Sequence, residues 1–233
     1  LVGSEMCIRD RPDVNLFAGG SQNLPMYLFD NLGSYSSIRE RVLENFKGLK
    51  PDQVLPYVYA IFHSKEYRKK YHQDLSKEFP RVPNLKNKNE IIKIGRDLME
   101  LHINYEEVPV YEGVNIEVSH NPSYKVTKMK YAKKRDKEGK SGNDLSTIIF
   151  NKDIKISNIP EKAYEYIVNG RSAIEWIMDQ YQVKTDKKSG ITDDPNDYSD
   201  DEKYIFNLLL RIINVSVQTV DLINSLPKFE VEE

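Results

Sequence analysis

Ser146-Thr-Ile-Ile-Phe-Asn-Lys-Asp-Ile-Lys-Ile156 decides the fold class. Two runs of β-branched and aromatic residues, each too short for a helix, flank an Asn-Lys-Asp turn, so they read as two strands of a hairpin. Upstream, Val114-Asn-Ile-Glu-Val and Tyr124-Lys-Val-Thr-Lys-Met-Lys-Tyr alternate with period two, set apart by Asn121-Pro122 and Gly139-Lys-Ser-Gly turns. Alternation places one face of each run on a core and the other in solvent. These runs predict a small antiparallel sheet of three to five strands. The polar hairpin over residues 133–144 is too charged to be buried.

Both flanks of the sheet read as helical. On the C-terminal side, Ser172 and Glu175 form a capping box opening a helix over 173–181. Ser199 and Glu202 suggest a second box before a long helix over 203–226. Pro227 ends that helix, and residues 227–233 form an acidic tail. On the N-terminal side, a short helix is expected over 38–46. Asp52 then caps a helix in which Pro56 falls in the first turn and Val54, Val58, Ile61 and Phe62 make one apolar stripe. Ser64 caps the next, with Tyr67, Tyr71 and Leu75 every four residues, and Pro80 and Pro83 end it. A helix over 89–102 carries Ile91, Ile94, Leu98 and Leu101 on one face. The expected fold class is therefore α+β, mostly helical with the small sheet.

The ends read differently. Residues 1–11 have neither the layout of a signal peptide nor an initiating Met, and read as a translated sequencing remnant preceding a chain that begins mid-gene. Residues 12–30, punctuated by Gly and Pro, read as the end of a preceding strand region, with a short strand over 24–29. Residues 31–226 make up the main domain.

Composition narrows the function. The chain has 233 residues, 39% apolar and 30% charged, with a formal net charge of −2. That excludes wholesale disorder and a histone-like polybasic binder. No uninterrupted apolar run reaches the roughly 18 residues of a membrane span, because Asn207, Arg211 and Asn214 break the candidate from Ile205. Cys7 is the single cysteine and lies in the remnant, so a reducing, cytoplasmic setting is expected.

Catalytic patterns are absent. His63, His72, His102 and His120 share no ligand spacing, and His63 and His72 read as surface residues beside a basic helix. The acidic run from Asp193 to Glu202 lacks the central Gly and ligand ladder of an EF-hand, and helix capping accounts for it. Gly139-Lys140-Ser141 ends like a phosphate loop, but Lys134 stands where its first Gly belongs. Asn121-Pro122-Ser123-Tyr124 lacks the second Pro of the adenine-gripping motif of N6-methyltransferases. No nucleophile motif is present.

The positive signal is local charge. Lys125, Lys128, Lys130, Lys133, Lys134, Arg135, Lys137 and Lys140 face only Asp136 and Glu138. A second concentration runs through Lys65, Arg68, Lys69, Lys70, Lys77 and Arg81, interleaved with Tyr67 and Tyr71. A third comprises Arg171, Lys184, Lys187 and Lys188 around Asn169-Gly170. Such clusters either form solvated faces or grip phosphates in a salt-dependent way.

Several strings carry a family resemblance. Asn169-Gly-Arg-Ser-Ala-Ile-Glu-Trp-Ile, Val183-Lys-Thr-Asp-Lys-Lys-Ser-Gly-Ile and Asp194-Pro-Asn resemble the C-terminal specificity domain of Type ISP restriction–modification enzymes. Tyr57-Val-Tyr-Ala-Ile-Phe-His-Ser-Lys-Glu-Tyr-Arg-Lys-Lys-Tyr, Phe79-Pro-Arg-Val-Pro, Pro12-Asp-Val-Asn-Leu and Leu24-Pro-Met-Tyr-Leu resemble earlier parts of the same domain. The resemblance spans residues 12–226. It implies the end of a polypeptide that also holds a nuclease, a superfamily 2 helicase and an N6-adenine methyltransferase. It also implies a non-catalytic domain that binds double-stranded DNA and packs near that methyltransferase. S-adenosylmethionine, ATP and magnesium would bind upstream, with no cofactor in these residues. From charge placement, Arg171, Lys184 and Lys187 near the Gly170 turn, and Lys128, Lys130 and Lys133 on a strand ridge, are the candidate DNA-facing residues. Competing local roles are an Arg171–Glu175 pair and a helix cap by Lys184, and Trp176 is expected in the core. The alternative function is a structural coupling domain that packs on the methyltransferase and reads no DNA.

Overall fold

The computed structural model describes residues 27–31, 33–75, 77–135 and 140–232. Residues 1–11, read as a sequencing remnant, residues 12–26, read as part of a strand region, and the hairpin tip at 136–139 lie outside the described residues. The chain divides into two compact units, one of Asn104–Val220 and one drawn from the residues up to Ile103 together with those from Asp221 onward.

The first unit is built on a four-stranded antiparallel sheet of β3 (Asn115–Val118), β4 (Lys130–Arg135), β5 (Ser141–Ile149) and β6 (Ile154–Ser157), in the order β3-β6-β5-β4. Register sets its two faces. Ile148 opposes both Ile156 and Tyr131, and Ile148, Ile154 and Ile156 are buried. The opposite face carries Glu117, Lys155, Ile149 and Lys130 in a row across the four strands. There Lys155 Nζ donates to Glu117 Oε1 at 3.0 Å.

Two helices cover the apolar face. From α6 (Ala173–Gln180) come Ile174 and Ile177, and from α7 (Tyr204–Asn224) come Ile205, Phe206, Leu208, Leu209, Ile212 and Ile213. Phe150 meets Phe206 edge-on, with ring centroids 5.5 Å apart. Each such side chain contributes roughly 1.5–3 kcal/mol when buried. Helix α7 is long and apolar enough to cross a membrane by length and composition, but most of its apolar stretch is buried inside the protein, as befits a core helix. Its Arg211 Nε and Asn214 Nδ2 donate to the carbonyls of Val108 and Pro109, which ties down the chain leading to the sheet.

Three expectations need correction in this unit. Residues 124–129 form no strand. Val126 exchanges both main-chain hydrogen bonds with the Asn196 side chain, at 2.8 Å each, and the Val183 amide donates to the Thr127 carbonyl at 2.9 Å. Those partners replace a ladder. Strand β5 starts at Ser141 and runs through the sequence read as a turn. The Ser172–Glu175 box is present, but the one at Ser199–Glu202 is not. Ser199 Oγ instead accepts from the Asp201 amide, and Asp201 Oδ1 accepts from the Lys203 amide.

The second unit is helical. It contains α1 (Glu40–Leu43), α2 (Pro51–His63), α3 (Lys65–Lys70), α4 (His72–Leu75) and α5 (Lys88–Ile103), with a hairpin of β1 (Tyr27–Asp30) and β2 (Gly33–Ser36). Helix α2 begins at Pro51, earlier than the Asp52 cap implied, so Pro56 lies in its second turn. Helix α5 crosses closely there. A Cβ on Gly95 would sit 1.9 Å from the Pro56 carbonyl oxygen, so only glycine permits the approach. Ser64 caps α3 as expected, accepting from the Tyr67 amide at 3.3 Å. The helix stops at Tyr71, and Leu75 is left exposed. Tyr57 and Tyr67 are buried with hydroxyls donating to Pro83 and Arg81 carbonyls, which fastens the 81–85 segment to the helices.

His63, expected at the surface, is only partly exposed. Its Nδ1 bonds the Tyr59 carbonyl at 2.8 Å, and the Tyr59 hydroxyl meets His102 Nδ1 at 2.7 Å. The two imidazoles lie 5.5 Å apart. Burial lowers the pKa of both, that of His102 to about 4.

Candidate nucleic-acid interface

The residues around 126 and 183 organise the charged surface of the first unit. β9 (Lys184–Thr185) and β10 (Thr192–Asp193) form a short hairpin. Asn196, in the turn Pro195–Asp197 that follows it, clasps Val126, while Val183 just before it bonds Thr127. The base of the hairpin is thereby fixed beside the 126–130 segment. Lys184 follows Val183, and Lys128 follows Thr127, so the two basic stretches adjoin.

The loop of this hairpin is rigidly built. Asp186 Oδ1 accepts from the Lys188 and Ser189 amides and from Ser189 Oγ, at 2.7–3.0 Å. Those bonds, led by the Ser189 amide, hold the Asp186 carboxyl below its usual pKa. Gly190, at φ +72°, returns the chain, and its amide donates to the Asp186 carbonyl. The Thr185 and Thr192 hydroxyls join across the strands at 2.8 Å. Because Asp186 is spent on backbone donors, it does not draw in Lys187 or Lys188.

The fate of each candidate differs. Lys128, Lys130, Lys184 and Lys187 are exposed, and none has a carboxylate or hydrogen-bond partner for its ammonium among the described residues. Lys133, on β4, donates to Asn143 Oδ1 at 2.7 Å and remains exposed. Arg171, in the hairpin of β7 (Ile167–Val168) and β8 (Arg171–Ser172), has a structural task. Its guanidinium lies 5.1 Å from the Trp176 ring centroid and pairs with Asp179 at 3.4 Å. Glu175 is not its partner, being engaged with Ser172 in the capping box. Trp176 is half-buried, and its Nε1 donates to the Val168 carbonyl at 2.7 Å, so it staples this hairpin to α6.

Two residues escaped the sequence reading. Asn196 ties Val126 to the turn after the β9–β10 hairpin, and its only signal was the Asp194-Pro-Asn string. Lys203 projects over the Tyr124 ring at 4.9 Å. Lys125 adjoins the acidic residues Asp200, Asp201 and Glu202, so the positive stretch ends there.

Cations of the second unit are engaged differently. Arg68 Nε donates to the Phe62 carbonyl at 2.6 Å, Lys70 lies over the Tyr71 and Phe229 rings, and Arg81 pairs with Glu78. A concavity beside them, lined by Tyr67, Tyr71, Asp74, Glu78 and Phe79 among others, brings together no nucleophile and base. Among the described residues, no three His, Cys, Asp or Glu side chains gather to hold a metal ion.

Comparison with known proteins places this architecture. The chain matches the Type ISP C-terminal specificity domain over residues 4–208. No curated protein matches. Among solved structures, it is similar to the ATP-dependent Type ISP restriction-modification enzyme LlaBIII bound to DNA, with a TM-score of 0.83 and 54% identity. That match covers 94% of this chain and 14% of the other. A nuclease-deletion mutant of the Type ISP enzyme LlaGI, in complex with a DNA substrate mimic, aligns with TM-score 0.75 and 51% identity, covering 90% and 15%. The DrdV–DNA complex aligns with TM-score 0.71 and 25% identity, covering 89% and 22%. The chain thus spans about one seventh of the Type ISP enzymes it matches. By the extent of these matches, this chain belongs to the Type ISP C-terminal specificity domain family.

Proposed function

We propose that this chain binds double-stranded DNA and contributes to choosing the target site of a single-polypeptide restriction–modification enzyme. One observation carries the reading: Lys128, Lys130, Lys184 and Lys187 stand exposed on adjoining segments, without acidic partners among the described residues. Ammonium groups on adjoining segments repel one another where no carboxylate pairs with them, and a phosphate backbone relieves that repulsion while releasing counterions. Arg171 acts by holding the β7–β8 hairpin in place. The domain itself performs no chemistry. S-adenosylmethionine, ATP and magnesium serve other parts of the polypeptide, which works in the cytoplasm.

A second reading is favoured by the β1–β2 hairpin, where Phe29 is 80% exposed and Tyr27, Leu28 and Tyr35 are exposed with it. A two-stranded ribbon with apolar residues on both faces is marginal alone. In this reading it packs against an upstream methyltransferase domain, and the chain couples that domain to the rest without touching DNA.

Anisotropy of a labelled duplex titrated with the chain separates the two. With about six phosphate contacts, affinity falls about a thousandfold between 50 and 200 mM salt. Absence of binding by the folded chain at 50 mM salt would leave the coupling role.

A further inference from the structure

The β4–β5 hairpin has two parts that obey different rules. Tyr131 opposes Ile148, but the next pair is Ala132 with Asp144, so Leu145, Ser146 and Thr147 loop out of the register. On the near side of that irregularity, β5 also pairs with β6, at Ile148 and Ile149, and its face packs on the core. On the far side, Ala132–Arg135 pairs only with Ser141–Asp144. Apart from Ala132 and Gly142, every residue there is polar, and none is buried. A two-stranded ribbon that buries nothing adds little to stability and costs backbone entropy to order. Its existence calls for a use outside the core.

Its dimensions and charge indicate one. Four residue pairs extend about 13 Å at roughly 3.3 Å per residue. The major groove is about 12 Å wide and 8.5 Å deep, and it admits a two-stranded ribbon. Charge along the ribbon is graded. Lys133 is held by Asn143, and Lys134 Nζ lies 3.8 Å from Asp144 Oδ1. Arg135, farther along the strand, is exposed and has no partner among the described residues. A free guanidinium presents the fork of donors that matches guanine O6 and N7 and no other base edge.

We infer that the Ala132–Arg135/Ser141–Asp144 ribbon enters the major groove and that Arg135 reads a guanine there, with Lys133 and Lys134 flanking it on the phosphates. This rests on the DNA-binding function proposed above. The test is selection of duplexes from a randomised pool, followed by sequencing, with the wild-type chain and with Arg135→Ala. The substitution is at an exposed site, so folding is preserved, which circular dichroism checks. The expected result is that the wild type enriches a sequence containing guanine. Arg135→Ala should lose about five- to 150-fold of the preference at one guanine position, with the other positions unchanged. Uniform weakening across all sequences would make Arg135 a phosphate contact and overturn the inference, as would wild-type binding without any base preference. Failure of the wild type to bind any duplex would overturn the DNA-binding function itself.

Discussion

In residues 65–81 three of the cations are engaged by their own chain while Lys69 and Lys77 face solvent singly, whereas in residues 126–130 and 184–188 exposed lysines gather on adjoining segments. Arg68 satisfies a carbonyl at the end of α2, Lys70 covers two rings and Arg81 meets Glu78. By contrast, the β9–β10 hairpin has two acids: Asp186 is bound to amides and a hydroxyl, and Asp193, opposite Lys184, accepts from the Tyr198 hydroxyl, so neither forms an ion pair with a lysine among the described residues. Two stretches of similar composition therefore offer different amounts of unpaired charge because of where their counter-groups point. Charge density in a sequence locates candidates, and the hydrogen bonds of nearby acids and carbonyls sort them.

The comparison is broken hardest from the helical side. Gly95→Ala places a methyl group 1.9 Å from the Pro56 carbonyl oxygen and must push α2 and α5 apart. The expected cost is about 3 kcal/mol or more, read by urea denaturation. Because the clash lies in the helical unit and β5 and β6 belong to the other, hydrogen exchange should show lost protection in α2 and α5 before any loss in β5 and β6.

A milder probe of the same side is pH. His63 and His102 are held neutral by burial, with folded-state pKa values below the ordinary 6.5. The unfolded chain therefore takes up protons that the folded chain refuses. Their contribution is complete above pH 6.5 and is lost as pH falls from there toward about 4, with a slope of up to about 1.4 kcal/mol per pH unit for His102. Thermal melts between pH 7 and 5 should show this fall, and His102→Phe should flatten it. A melting profile of the wild type that does not change across this range would contradict the burial of these rings.

The smallest effect sharpens the other side. Ser172 is buried, and its Oγ accepts from the Glu175 amide while donating to Glu175 Oε2. Ser172→Ala should cost about 1–2 kcal/mol, and it should loosen α6 and the β7–β8 hairpin joined to it by Trp176. Differential scanning calorimetry reads the cost. An unchanged melting temperature would mean the cap is redundant.

Much of this molecule was legible in its amino acids, for reasons that are local. Ser64 and Ser172 announce their helices because a hydroxyl followed by free amides has one stable use. The pair Ile154 and Ile156, two apart, marks a core-facing strand because the pleat alternates. What escaped was non-local. Residues 124–129 alternate as a strand should, yet Asn196, 70 residues away from Val126, takes their hydrogen bonds. His63 reads as polar until Tyr59 and His102 close around it. Arg171 reads as a DNA-facing cation of its turn with Glu175 as its local competitor, but the Asp179 that engages it lies about two turns along the next helix. Spacing along the chain carries no record of such pairings.

The central claim is that four uncompensated lysines grip the duplex, and the salt dependence of binding tests it most directly. Duplex affinity is measured from 50 to 200 mM salt for the wild type, for a variant with Lys128, Lys130, Lys184 and Lys187 changed to Ala, and for a Lys69→Ala/Lys77→Ala control. The account predicts that the fourfold variant flattens the log–log slope by roughly 0.9 per lysine removed, while the control keeps the wild-type slope. Equal slopes for the fourfold variant and the wild type would contradict it.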